Sequence, residues 1–297
     1  MAEQASYPWR WDRLLALGAM NPAWRRADDA REPRLSILMY HGISDRIDRS
    51  VHPYFQTVTT PGRFRSHMDH LRDSGMSLLS LGEAVRRLHA GRLEADEQVA
   101  VVTFDDGLRD FYRNAYPILN RLGIPSTVFL ASDYLDRHFL NGEECLHRSE
   151  VAELSRLGVE FGSHTATHPQ LTTLDQQGID RELSTSRDDI AAISGSPVTL
   201  FSYPYRFPEE EPAFTAQLES ALASNGYRIG VTTRIGRAAA ADRRLLLPRL
   251  PVNDGDDIRL LEAKLRGGYD WMHGLQVARK RMRKIARVAS AALRGRR

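Results

Sequence analysis

The chain has a single cysteine, Cys145, so no intramolecular disulfide framework can form, which suits a reducing compartment. It lacks any apolar run of the roughly 18–20 residues needed to span a bilayer. Leu14 to Met20 has about the length of a signal-peptide core. However, Glu3 and Asp12 flank it, and Asn21-Pro22 follows where small residues would mark a cleavage site. It reads as a short amphipathic helix, and the expected location is cytoplasmic. No internal repeat or low-complexity segment is present, which excludes solenoids and wholesale disorder. Acidic residues are absent from Trp271 to Arg297, a stretch holding nine Lys and Arg from Arg279 onward. The net charge of +3 therefore divides into an acidic body and a basic tail.

What is present is ordinary globular material: 297 residues with 42% hydrophobic and 27% charged, enough for one large domain or two average ones. Short β-branched runs alternate with segments of helical spacing. Strands are expected at Leu35–Tyr40, Ser77–Ser80, Gln98–Phe104, Ser126–Ala131, Val159–Gly162, Thr199–Tyr203, Arg228–Thr232 and Pro248–Val252. Helices are expected at Arg63–Ser74, Leu81–Ala90, Asp110–Leu122, Glu150–Leu157, Asp175–Ser194, Pro212–Asn225, Asp256–Leu265 and Tyr269–Leu293. Strands that alternate with helices imply parallel pairing, and seven or eight such units point to a (β/α) barrel. A doubly wound open sheet is the alternative. The organisation read from this pattern is a helical extension over 1–33, a barrel over 34–255 and a basic helical tail over 256–297. Asp45 to Thr60, with Tyr54 and Phe55, is a long loop: either a groove wall or a tolerated insertion.

Four polar clusters fall just past predicted strand ends: Tyr40-His41-Gly42, Asp105-Asp106-Gly107, His164-Thr165-Ala166-Thr167-His168 and Ser202-Tyr203-Pro204-Tyr205. In parallel barrels this is where active sites assemble. A carboxylate pair at the end of a buried strand needs a cation or donors to neutralise it. Adjacent residues also face different sides, so one Asp can bind a metal while the other meets the reacting water. The bland reading is that Asp106 or Asp110 caps the helix that follows. His164 and His168 are four apart, and Pro169 favours a turn over a helix there. Taken alone, such a pair is commonly two unrelated histidines. Beside an Asp-Asp turn, two His and one Asp make a three-ligand open metal site. In such a site the cation polarises an acyl oxygen, and Asp105 takes a proton from water as general base. A backbone N–H after Pro204 stabilises the oxyanion, and His41 is the best-placed acid for the amine leaving group. The bland reading of His41 is a strand-end histidine with a satisfied hydrogen bond.

With these residues in view, the sequence resembles the polysaccharide deacetylase family, also described as the NodB-homology or carbohydrate esterase family 4 domain. Thr103-Phe104-Asp105-Asp106-Gly107 is similar to its first motif, and Ser163-His164-Thr165-Ala166-Thr167-His168 to its second. The resemblance covers roughly Leu35 to Val252. It implies a distorted (β/α) barrel of about seven strands, here with extra terminal helices. It implies Asp105 as base, Asp106, His164 and His168 as metal ligands, and Tyr205 as donor of a backbone N–H to the oxyanion. The metal implied is zinc, with cobalt, nickel, manganese or iron as alternatives.

The chain departs from the family in places. Ser202 stands where a third motif, Phe-Arg-x-Pro-Tyr, often has the arginine that holds the base. Arg249, in Leu247-Pro248-Arg249-Leu250, is the candidate replacement. The late Leu-x-Leu-His acid motif is missing. His41 in Met39-Tyr40-His41-Gly42 instead resembles the acid of the biofilm-polysaccharide deacetylases. The implied activity is removal of N-acetyl groups from amino sugars of a bacterial polysaccharide or its precursor. Competing readings are a deformylase or amidase on another N-acyl substrate, and an inactive metal-containing glycan-binding module. The expected partner is an N-acetylated sugar or polysaccharide. The basic C-terminal helix is a candidate for peripheral membrane contact. Nucleic acid is not expected, because the basic run has no aromatic interleaving.

Overall fold

The computed structural model describes residues 10–18 and 32–276. A short helix, α1 (Trp11–Leu17), precedes the first strand, β1 (Arg34–Tyr40). The small strands β2 (Gly42–Ile43) and β3 (Val58–Thr59) bracket the following loop, and helix α2 (Pro61–Asp73) leads to β4 (Ser77–Leu78). Then come α3 (Leu81–His89), β5 (Val99–Phe104), α4 (Tyr116–Leu122), β6 (Ser126–Leu130), α5 (Arg148–Arg156) and β7 (Glu160–Ser163). The chain continues through α6 (Gln176–Ser194), β8 (Leu200–Ser202), α7 (Pro212–Ser224), β9 (Ile229–Ile235), β10 (Ala238–Ala239), β11 (Leu247–Pro251) and α8 (Ile258–Leu265).

Seven parallel strands close a ring in the order β1, β5, β6, β7, β8, β9, β11 and back to β1. The pairing of β1 with both β5 and β11 rules out the open doubly wound sheet. The fold is a distorted (β/α) barrel. The expected strand near Ser77 proves to be only the two-residue β4, which pairs with the lower half of β5 while β6 takes the upper half. Antiparallel β10 extends the sheet from β1 and has no counterpart in the expected pattern.

The strand sequences explain why a barrel forms. β5 is buried along its whole length, as a strand covered on both faces must be. Alternate residues Leu35 and Ile37, Val99 and Val101, Phe129, Leu200, Ile229 and Val231, and Leu247 form one cluster contributed from around the ring, so they fill the interior. Leu81, Ala84, Val85 and Leu88 of α3 join that cluster and close the bottom of the barrel. The intervening residues, such as Leu38, Tyr40, Val102 and Phe104, pack outward against the helical layer.

The long loop after β1 is tied down. Asn253 Nδ2 donates to the carbonyls of Pro53 and Gln56, at 2.9 and 3.0 Å, and the Asp254 carboxylate accepts from Thr60. α1 is anchored by charge. The buried Arg10 bonds Asp12 and Asp256, while Asp256 also holds Lys264 at 2.8 Å. Of the expected helix over 269–293, residues 269–271 form turns and 272–276 are helical. The basic stretch from 277 onward, with the proposed membrane face, lies outside the described residues, as does residue 20 at the end of the first expected helix. Among the described residues no helix is long and apolar enough to cross a membrane.

Candidate active site

The four clusters all emerge at the same end of the barrel. His41 follows β1, Asp105 and Asp106 follow β5, His164 and His168 follow β7, and Ser202 ends β8 with Tyr203 to Tyr205 after it. The backbone there is unusual. Asp106, Thr165, His168 and Tyr205 all have positive φ, at 70°, 68°, 54° and 57°. Non-glycine residues rarely occupy that region unless the surroundings impose it, and such residues collect at functional sites. Gly107 at φ 67° completes the turn after the carboxylate pair; a Cβ there would lie 2.8 Å from Leu130 Cδ2.

The left-handed turn at Asp106 sends the two neighbouring carboxylates to different partners. Asp106 Oδ1 lies 3.5 Å from the Nε2 atoms of both His164 and His168, which are 3.2 Å from each other. His164 Nδ1 donates to the Ser202 carbonyl at 2.7 Å, which in the neutral ring leaves a lone pair on Nε2. Burial and the neighbouring His164 hold His168 neutral, with its pKa pulled down to about 4. For His164, burial opposes charge, but Asp105 and Asp106 raise its pKa above the ordinary value. His168 Nδ1 is buried with no hydrogen-bond partner among the described residues. The donor set of two imidazoles and a carboxylate, within 4.8 Å of one another, fits a divalent metal.

Asp105 faces the other way and is 2% exposed. Arg249 Nη1 and Nη2 grip its two oxygens at 2.8 and 2.6 Å. Arg249 Nε donates to the Thr232 carbonyl, Nη1 also reaches Thr103 Oγ1, and Nη2 also reaches Ser202 Oγ at 3.0 Å. Ser202 Oγ donates to Asp105 Oδ1 at 3.2 Å. Ser202 lies on β8 and Arg249 on β11, with only β9 between them, so the guanidinium reaches both Ser202 and Asp105. The register shift between β11 and β9 falls at Leu247 and Arg249, as expected where a strand re-aims a side chain. Burial would raise the Asp105 carboxyl, but Arg249 beside it, with His164 and His41, holds it well below the usual carboxylate range.

His41 is half-buried at the end of β1, beside the end of β5, where the Asp105 N–H donates to the Tyr40 carbonyl. Tyr205 is 44% exposed, and its ring lies 4.5 Å from that of His168. The structure thus brings His41, Asp105, Asp106, His164, His168, Tyr205 and Arg249 to one end of the barrel. Three further residues carry no local motif. Glu182 of α6 accepts from the backbone N–H groups of Ala166 and Thr167, both at 2.9 Å, and from Thr167 Oγ1, pinning the histidine turn. Asp110 makes no side-chain cap to its own helix, contrary to the bland reading of the carboxylate cluster. Its Oδ2 instead accepts from the Ile43 N–H, and Asn114 donates to the Ile43 carbonyl.

Residues 92–230, which contain both the carboxylate pair and the histidine turn, match the polysaccharide deacetylase family model. Over this stretch the chain is similar to the polysaccharide deacetylase family. A putative polysaccharide deacetylase, YxkH of Bacillus subtilis, is 29% identical over 235 residues, covering 78% of this chain and 76% of that protein. The poly-β-1,6-N-acetyl-D-glucosamine N-deacetylase of Escherichia coli is 27% identical over 139 residues, 43% of this chain but only 20% of that protein. Among solved structures, Streptococcus pyogenes deacetylase PplD, determined in complex with acetate, superposes with a TM-score of 0.68 at 25% identity, covering 79% of this chain and 99% of the other. IcaB from Ammonifex degensii shares the fold, with a TM-score of 0.65 at 21% identity, over 79% of this chain and 97% of the other.

Proposed function

We propose that this protein is a divalent-metal-dependent hydrolase of the polysaccharide deacetylase family that removes N-acetyl groups from amino sugars of a bacterial polysaccharide or its precursor. One observation carries the reading: two adjacent carboxylates are divided between a histidine pair and a buried arginine. A site that only bound glycan would need neither the ligand triad nor a second, separately charged carboxylate. The likeness to deacetylases in both comparisons supports the same chemistry.

Asp106, His164 and His168 would hold the metal; zinc, cobalt, nickel, manganese and iron all accept this donor set. When bound, the metal supplies Lewis acidity toward the acyl oxygen and makes water a better nucleophile. The chain's own residues do the rest. Asp105, kept ionised by Arg249, takes a proton from the attacking water. The backbone N–H of Tyr205 donates to the oxygen on which negative charge develops. The C–N bond breaks as His41 delivers a proton to the sugar nitrogen, releasing acetate and the free amine. Arg249 and Ser202 are positioning residues, acting through Asp105.

The test is acetate release from β-1,6- and β-1,4-linked N-acetylglucosamine oligomers by metal-reconstituted protein, beside Asp105→Asn and His164→Ala. The proposal expects release that both substitutions abolish. Cleavage only of N-formyl or non-sugar amides would move the activity to another acyl substrate. Sugar binding without any acyl release would make the protein a binding module and overturn the proposal.

A further inference from the structure

The loop that carries His41 is gripped from two sides. On one side, Gly42 N–H donates to the Thr57 carbonyl at 3.2 Å, Ser44 N–H donates to Thr59, and Gly42–Ile43 pairs in parallel with Val58–Thr59. On the other side stands the start of the helix after β5. Asp110 Oδ2 accepts from the Ile43 N–H at 2.7 Å, and Asn114 Nδ2 donates to the Ile43 carbonyl at 2.7 Å. One helical turn thus satisfies both polar groups of a single peptide residue two positions beyond His41. The approach is close: a Cβ at Gly42 would stand 3.2 Å from Asp110 Oδ2.

Phe111–Ala115 form a widened π turn, in which Tyr116 N–H reaches back to the Phe111 carbonyl. Pro117 has no N–H to offer the preceding turn, so the regular ladder cannot run through it. Such π turns often mark functional positions. The strand behind His41 is fixed as well, since the Tyr40 carbonyl accepts from Asp105 N–H at 3.0 Å. Asp110 is half-buried, but its other oxygen, Oδ1, is shut off from solvent with no hydrogen-bond partner among the described residues. A carboxyl oxygen shut off from water without a partner costs stability, so folding alone does not account for this arrangement.

We propose that Asp110 and Asn114 form a clamp on Ile43 that positions His41 for proton delivery to the leaving nitrogen. The inference rests on the reading of His41 as the acid. Both are positioning residues and neither touches substrate. The clamp acts through hydrogen bonding, so an amide at position 110, which keeps an acceptor oxygen for Ile43, preserves it.

The experiment uses the full chain, saturated with metal, on an N-acetylglucosamine oligomer, measuring kcat, KM and metal affinity. Asp110→Ala and Asn114→Ala should each lower kcat by about tenfold or more, with KM and metal affinity unchanged. Asp110→Asn should recover most of the rate lost in Asp110→Ala. On a His41→Ala background the further loss from Asp110→Ala should vanish, because both act through one group. If Asp110→Ala is as fast as the parent, or if its loss persists in full without His41, the clamp is refuted while the role of His41 stands. If His41→Ala is itself as fast as the parent, the acid assignment fails, and the clamp fails with it.

Discussion

Arg249 sits 144 residues after Asp105 in the sequence, yet its guanidinium holds both oxygens of that carboxylate inside the closed barrel. Each barrel strand delivers its C-terminal end to one space, so the last strand can complete a site begun by an early one. Removing one partner of such a buried pair leaves an uncompensated charge, which costs about 3–5 kcal/mol. Arg249→Met should therefore lower unfolding stability by about that amount and reduce kcat strongly. Arg249→Lys should not restore it, because an ammonium cannot bridge two oxygens and also reach Thr232 and Ser202. Denaturant unfolding checks the first claim and steady-state kinetics the second. Adding Asp105→Asn to Arg249→Met should recover stability without recovering activity.

Asp110 sets a second expectation, in the opposite direction. Burial raises its carboxyl to about 7, with Glu143 and Asp106 adding to the effect and the Ile43 N–H opposing it. The folded state then holds a proton that the unfolded chain releases near the ordinary carboxylate value. Between those values the native state binds more protons, so this group makes stability fall as pH rises toward 7. Asp110→Asn should remove that slope. The variant should be more stable than the parent at pH 8, and the difference should shrink toward zero near pH 4. Thermal unfolding over that pH range reads the result directly.

Glu182 predicts an effect on metal rather than on folding. Its carboxylate holds the backbone of the turn that sets His168 at positive φ. Outer supports of this kind typically account for about 10–100-fold in metal affinity. Glu182→Ala should weaken metal binding within that range, while kcat at saturating metal falls much less. Calorimetric metal titration beside kinetics separates the two quantities.

Asp256 gives an acid-sensitivity test far from the chemistry. It is fully buried between Lys264 and Arg10. Burial would raise its pKa, but those two cations lower it below the ordinary value. Its contribution to stability is therefore present at neutral pH and is lost as pH falls through the depressed folded value. Asp256→Asn should lower stability at pH 7 and flatten the loss of stability below about pH 4. Circular dichroism melts at pH 7 and at acid pH compare the two proteins.

Much of the site could be read in the sequence because its chemistry is local. The carboxylate pair and the histidine pair each lie within five residues, and the first follows a strand, Val99–Phe104, whose apolar run is unmistakable. The barrel was legible for the same reason, since the alternation of strands and helices survives errors of a residue or two at each boundary. What was not legible comes from across the ring. Glu182 and Asn114 look like ordinary helix residues until the fold sets them against the histidine turn and Ile43. Asp110 reads from the sequence only as a helix cap, because its partner Ile43 lies in another element. β2, β3 and β10 are two-residue strands defined by pairing alone, with no periodicity to detect. Ser202, a departure from the family pattern, gains its meaning only beside Arg249.

The most direct test of the account is a metal titration of metal-free protein, measuring acetate release from an N-acetylglucosamine oligomer at each step. The account predicts no release without metal and a rate that rises linearly with metal bound at the Asp106, His164 and His168 site, reaching a plateau at one ion per chain. It also predicts that Asp106→Ala removes binding and activity together. Acetate release that is unchanged in metal-free protein, or in Asp106→Ala protein with no bound metal, would contradict it.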